Sequence, residues 1–299
     1  MRRLMGMLPL IMTLVSSVAA QAADPAAFHP YEAIQFPSLD RGTSDGRPVS
    51  LNGYLFRPVS EGAAPAVVLM HGCGGLINQF GRINLRETDY ANRLSAAGYV
   101  VLIVDSFTPR GVRNMCAPAN YQRAVALARP RDAYGALIFL QDKSYVRPDR
   151  IGLIGWSQGG GTVLMTVRIH DSQGRPANLP HGDFAAAIAF YPGPCSERQL
   201  KPGWETRIPL LVLIGERDVW TPLGPCQTLL DHGRERGSPV ELHTYPGAYH
   251  DFDYPGVRYH EEPDYRTTAG VVPIVAMDPA ARADALVRVK TFLARNMMD

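Results

Sequence analysis

The stretch "RIGLIGWSQGGGTVLMTV", residues 150–167, opens with Ile151, Leu153 and Ile154 of a buried strand and closes with Val163, Leu164, Met165 and Val167 at helical spacing. Between them sits Ser157, in the pentapeptide Gly155-Trp156-Ser157-Gln158-Gly159, with Gly160 and Gly161 following. A strand that turns straight into a helix forces the corner residue into strained backbone. Glycines on either side remove the Cβ atoms that would collide there. Such a corner lifts the serine hydroxyl clear of the sheet. It also leaves the N–H of Gln158 at a helix N-terminus, facing any negative charge that develops on a bound carbonyl. Read alone, the same residues make a glycine-rich turn with a serine cap, so the rest of the chain must decide.

Outward from this corner the chain alternates between two kinds of segment. Apolar, strand-like runs lie at 49–58, 65–75, 99–107, 184–193, 209–218 and 239–247. Helical spacing appears at 87–98, at 121–142 with Pro130 as a kink or boundary, and at 279–297. Strands apolar throughout are buried on both faces, which predicts an α/β fold with a mostly parallel sheet between two helix layers. In such sheets ligands bind beyond the carboxyl ends of the strands, so the informative polar residues are those that follow each apolar run.

Three of these follow-on positions matter. Asp218 ends "LLVLIGERD", and His250 follows "YPGAY" beyond the next strand. With Ser157 they give the chain order Ser, Asp, His, in which His250 takes the serine proton and Asp218 holds the imidazole in the right tautomer. Asp218 alone also reads as an N-cap for the helix after it. Asp251 and Asp253 neighbour His250 but sit in the wrong segment for the acid. "LMHGCGG", 69–75, follows the first central strand, and the N–H of Cys73 is the candidate second oxyanion donor beside that of Gln158; a plain turn is the alternative.

The bulk properties narrow the rest. The 299 residues carry 30 basic and 28 acidic side chains, a net charge of +2, with no basic stripe, so a nucleic-acid partner is not expected. Arg2 and Arg3 precede the apolar run 4–15 and small residues near 18–22, the pattern of a secretory signal over residues 1–22. That run is too short for a membrane anchor. The expectation is an exported, periplasmic or secreted protein whose residues 23–299 form a single domain. Cys73, Cys116, Cys195 and Cys226 are an even count in an oxidising compartment, hence two disulfides with three possible pairings. Their spacing matches no zinc site. The mixed carboxylates and aromatics at 254–277, including His260, Glu261, Glu262 and Asp264, read as solvated charge on a long loop, with no metal expected.

Taken together, "HGCGG" (71–75), "AGYVVLIVDSFTPRG" (97–111), "GWSQGG" (155–160), "LLVLIGERDVWTP" (210–222) and "GAYHDFD" (247–253) resemble the dienelactone hydrolase family of the α/β-hydrolase superfamily. The resemblance implies an α/β-hydrolase fold and a hydrolase acting on a small-molecule ester or lactone through an acyl-enzyme, without a cofactor. Dienelactone hydrolases proper carry cysteine at the nucleophile position; here it is Ser157. The family's carboxylate-binding arginine falls near Arg110, and Trp156 and Trp220 are further candidates for the substrate pocket. The family's strand order also implies the pairings Cys73–Cys116 and Cys195–Cys226. A peptidase on the same fold and a non-catalytic binding protein are the alternative readings.

Overall fold

The computed structural model describes residues 30–42, 46–59, 62–169 and 174–298, and the leader expected at 1–22 lies outside the described residues. Eight strands form one sheet: β1 (Tyr31–Pro37), β2 (Ser50–Phe56), β3 (Ala64–Met70), β4 (Val100–Asp105), β5 (Val146–Trp156), β6 (Ala186–Phe190), β7 (Leu210–Gly215) and β8 (Val240–Tyr245). Their order across the sheet is β1-β2-β4-β3-β5-β6-β7-β8. β2 runs antiparallel to both of its neighbours, β1 and β4, and β4, β3, β5, β6, β7 and β8 are mutually parallel. The carboxyl ends of all the central strands therefore open on one edge. A small antiparallel ribbon, β9 (His260–Glu261) with β10 (Ile274–Val275), lies outside this sheet.

The helices are α1 (Leu85–Ala96), α2 (Arg123–Gln141), α3 (Gln158–Thr166), the single turn α4 (Glu197–Leu200), α5 (Leu223–Glu235) and α6 (Pro279–Met297). Side chains alternate across the strands and bury on both faces. Ala66, Val68 and Met70 of β3 join the core that holds Tyr134 and Leu137 of α2, Val163 and Leu164 of α3 and Leu229 of α5. Val67 and Leu69 join the opposite core with Tyr90 and Leu94 of α1 and Val289 and Phe292 of α6. The expected three-layer arrangement is present. Among these described helices none is long and apolar enough to cross a membrane.

Pro130 does not end its helix; α2 runs through it for 19 residues. A proline removes one backbone donor and normally kinks or breaks a helix. Here the flanking turn is held from outside. Arg129 donates to the His71 carbonyl at 2.5 Å, and Asp132 accepts from the Ser38 hydroxyl at 2.6 Å. Tertiary bonds on both sides of the proline override the local preference.

The corner between β5 and α3 is the tightest point of the fold. Ser157 has φ 51° and ψ −115°, in the left-handed half of backbone space. A Cβ on Gly155 would lie 2.2 Å from the Gly159 carbonyl oxygen, and one on Gly159 would lie 2.1 Å from that of Met70. The start of α3 thus presses against both its own strand and the end of β3, an approach only glycine allows. Gly159→Ala is expected to destabilise the protein by about 1–3 kcal/mol or more, because both colliding groups are backbone and cannot yield. A thermal melt of the purified variant checks this; an unchanged Tm would contradict the geometry.

Candidate active site

Four parallel strands deliver the side chains. Ser157 follows β5, Asp218 follows β7, His250 follows β8, and Gly72 and Cys73 follow β3. Ser157 is held by its backbone: its N–H donates to the Phe190 carbonyl at 3.0 Å, and its carbonyl accepts from Gly161 at 2.9 Å and Gly193 at 2.8 Å. Ser157 and His250 both line one cleft of about 150 Å³, together with Cys73, Arg86, Asp251 and Trp220.

Asp218 is 3% exposed and fully engaged. One carboxylate oxygen accepts the N–H groups of Trp220 at 2.9 Å and Thr221 at 2.8 Å. The other accepts the Thr221 hydroxyl and the Nδ1 of His250, each at 2.7 Å. Asp218 thus closes its own turn and also meets the imidazole; it does not cap the helix that follows, whose N-cap is Pro222 with no side-chain bond. Because Nδ1–H faces a carboxylate, Nε2 is left as the basic nitrogen. Burial alone would push the His250 pKa down. The charge and hydrogen bond of Asp218, with a contribution from Asp251, hold it above the ordinary histidine value instead. The ring lies between Tyr191, 4.5 Å away, and Trp220, 4.9 Å away.

The glycine-rich turn after β3 lines the cleft through Gly72, Cys73, Gly74 and Gly75. Among the described residues neither the N–H of Cys73 nor that of Gln158 donates to a protein acceptor, and the two residues share a second compartment with Ser157. Cys73 is bonded to Cys116, and Met115 N–H donates to the Cys73 carbonyl at 2.8 Å. A second disulfide joins Cys195 to Cys226. Cys73 and Cys116 lie in the segments beyond the adjacent strands β3 and β4, whereas Cys195 follows β6 and Cys226 sits inside α5, the helix after the adjacent β7. His71 supports the turn from behind. Its Nε2 accepts the Ser106 N–H at 3.3 Å, which places its proton on Nδ1, donating to the Gly72 carbonyl at 2.7 Å. Burial, with the nearby Arg129 charge, keeps this imidazole neutral by pushing its pKa well down.

Two residues expected at the substrate lie elsewhere. Arg110 turns away from the cleft and is consumed by structure: it forks onto Asp132 at 2.8 and 2.9 Å, reaches Asp40 at 3.0 Å and donates to the Ser106 carbonyl at 2.7 Å. Trp156 is wholly buried. It stacks on Phe190 at 5.5 Å and donates its indole N–H to Asp253 at 2.8 Å. It joins the core with Tyr90 and Phe190, one position before the Ser157 corner. Trp220 does line the cleft, stacked on Tyr265 of the 254–277 segment at 5.7 Å. That segment covers the site rather than trailing into solvent: Ala276 N–H donates to the His250 carbonyl at 3.1 Å, and Asn114 donates to the Tyr265 hydroxyl at 2.9 Å.

Two buried arginines were not legible in the sequence. Arg86, in the first turn of α1, donates to Asp251 at 2.7 Å, Glu87 at 2.8 Å and the Tyr191 hydroxyl at 3.1 Å. The Tyr191 hydroxyl in turn donates to Asp253 at 2.5 Å. Arg86 thereby ties α1 to the loop that carries His250, where Asp251 has φ 60°. Arg129 bridges the turn after β3 and the start of α3, donating to the Gln158 side-chain oxygen at 2.9 Å and to the His71 carbonyl. Burial lowers its pKa to about 10, so it stays charged at neutral pH. In sequence both residues look like ordinary helix-surface cations; only their neighbours in space distinguish them.

A family model described as the dienelactone hydrolase family matches residues 51–297. A probable 2-oxo-3-(5-oxofuran-2-ylidene)propanoate lactonase from a Bradyrhizobium species is 26% identical over 237 residues, covering 74% of this chain and 85% of that protein. The crystal structure of a putative dienelactone hydrolase from Klebsiella pneumoniae superposes with a TM-score of 0.60 at 18% identity, covering 89% of this chain and 99% of that one. Thermogutta terrifontis esterase 2, phosphorylated by paraoxon, superposes with a TM-score of 0.60 at 18% identity, covering 91% of this chain and 96% of that one.

The electrostatics carry a signed expectation. Asp251 adds negative charge beside His250, so Asp251→Asn should lower the imidazole pKa, seen by NMR titration of the ring protons. A rise would mean that the local charge balance is misread.

Proposed function

The chain belongs to the dienelactone hydrolase family, and we propose that it cleaves a carboxylic ester or lactone through an acyl-enzyme, with Ser157 as nucleophile, His250 as base and Asp218 as the carboxylate that orients it. The observation that carries this reading is the Asp218–His250 hydrogen bond of 2.7 Å inside a cleft that also holds the strained Ser157. A serine hydroxyl is weak until a neighbouring base takes its proton, and an imidazole fixed through Nδ1 presents Nε2 for that task.

In the first half-reaction Ser157 Oγ attacks the carbonyl carbon and its proton passes to His250 Nε2. The carbonyl oxygen gains the negative charge, which the N–H groups of Cys73 and Gln158 stabilise. Collapse expels the alkoxide, which leaves with the proton from His250, and the acyl group stays on Ser157. In the second half water attacks that ester by the same route, releasing the acid and restoring the hydroxyl. The buried Asp218 carboxylate stabilises the imidazolium formed in each half, consistent with the raised histidine pKa.

The lactonase relative from Bradyrhizobium supports ester or lactone chemistry for this chain. The same proposal places the protein outside the cytoplasm. The leader-like residues 1–22 and two disulfides fit an oxidising compartment.

Ser157→Ala and His250→Ala are each expected to lower kcat for p-nitrophenyl esters by on the order of 10⁶, the loss seen when the triad of subtilisin is broken, and Asp218→Ala by less. A fluorophosphonate probe should label Ser157, and activity retained in Ser157→Ala would overturn the assignment. Because the base works only as neutral imidazole, kcat/KM should rise with pH through one ionisation whose midpoint lies above the ordinary histidine value. A flat profile from pH 5 to 9 would remove His250 from this role.

A further inference from the structure

Two compartments meet at Ser157, sharing Cys73, Cys116, Trp220 and Tyr265. The larger, about 420 Å³, is walled by groups such as Met115, Tyr121, Pro194, Gln199 and Thr267, and among the described residues no charged side chain lines it. The smaller, about 150 Å³, carries three charged side chains: Arg86, Asp251 and Glu262.

The charge balance of the smaller compartment is negative. Among the described residues its one permanent cation is already spoken for, because Arg86 is paired with Asp251 at 2.7 Å and with the buried Glu87 at 2.8 Å. It also lies over the rings of Trp156 and Tyr254, at 5.3 and 5.1 Å. Asp251 and Glu262 keep 22% and 29% of their side-chain surface exposed. The partner of Glu262 is His260 at 3.1 Å, which compensates its charge only when protonated. Arg110, the cation that would greet a substrate carboxylate, is consumed by Asp40 and Asp132 away from the cleft.

Resting on the esterase reading above, we propose that the site selects esters uncharged on both sides of the scissile bond and rejects carboxylate-bearing ones. The larger group occupies the uncharged compartment, and Asp251 and Glu262 set the selectivity on the other side. A substrate carboxylate in the smaller compartment would stand near two like charges without a free cation to answer them. The lactonase relative, whose name specifies a propanoate, acts on an anionic substrate by that name; the present cleft is built to the opposite charge preference.

The test compares p-nitrophenyl hemisuccinate with p-nitrophenyl methyl succinate, which differ by one methyl group and one charge, at about pH 8, where His260 compensates Glu262 less. The neutral ester is expected to have the higher kcat/KM by about tenfold, a ratio that shrinks in high salt as the carboxylate field is screened. Glu262→Gln should narrow the ratio between the two esters by roughly threefold, through a rise in kcat/KM for the hemisuccinate larger than any change for the neutral ester. Equal or faster turnover of the hemisuccinate would overturn the proposal and make Arg86 an anion anchor. An equal effect of Glu262→Gln on both esters would overturn the role of that residue. If neither ester is hydrolysed and no fluorophosphonate label appears on Ser157, the esterase reading itself falls, and this proposal with it.

Discussion

The backbone of Ser157 is the constraint from which the rest of the site follows. A residue other than glycine at φ 51° is strained by an amount on the order of 1–3 kcal/mol, and such a conformation persists only where its surroundings over-determine it. Here three backbone hydrogen bonds, to Phe190, Gly161 and Gly193, lock both sides of the residue. The geometry that holds the strain also requires α3 to begin against the end of β3, and that contact demands glycine at 159. The nucleophile candidate, the Gln158 N–H and the glycine-rich turn after β3 are therefore placed by one packing event. None of them could move without the others.

Around this corner the protein buries charge in two arrangements. Arg86 sits among carboxylates, and Glu87, Asp251 and Asp253 hold its guanidinium well above its ordinary pKa although burial works against it. Arg129 instead bonds the neutral oxygens of Gln158 and His71, and burial depresses its pKa. A buried cation on neutral acceptors is expensive. The expense is concentrated behind the two N–H groups that would face an oxyanion, where a positive field acts in the useful direction. Arg129 thus stands behind the Gln158 and His71 segments, while Arg86 and Asp251 line the smaller compartment together with Glu262.

Much of the fold could be read without coordinates because buried parallel strands announce themselves. Runs such as "PAVVLM" and "YVVLIVD" have no polar face, so only a sheet covered on both sides suits them. The strands that escaped notice are those without that signature. β1, "YEAIQFP", is an edge strand with mostly exposed residues, and β9 and β10 are two residues each. Their pairing depends on a neighbour rather than on their own composition. The boundary reading of Pro130 failed for the same reason in reverse: a local breaker was outweighed by tertiary bonds on both sides of it.

The sequence by itself determined the alternation of strands and helices, the glycine corner at Ser157 and the positions of Asp218 and His250 beyond their strands. Those features are written in local chemistry: side-chain period, backbone freedom and order along the chain. Tertiary structure decided which charges meet. Arg110 and Arg86 are both arginines near the expected cleft, and nothing in their local sequence says that the first forks onto Asp132 while the second reaches Asp251, 165 positions away. A salt bridge depends on the distance between two side chains in space, and only the packed sheet and helices set that distance.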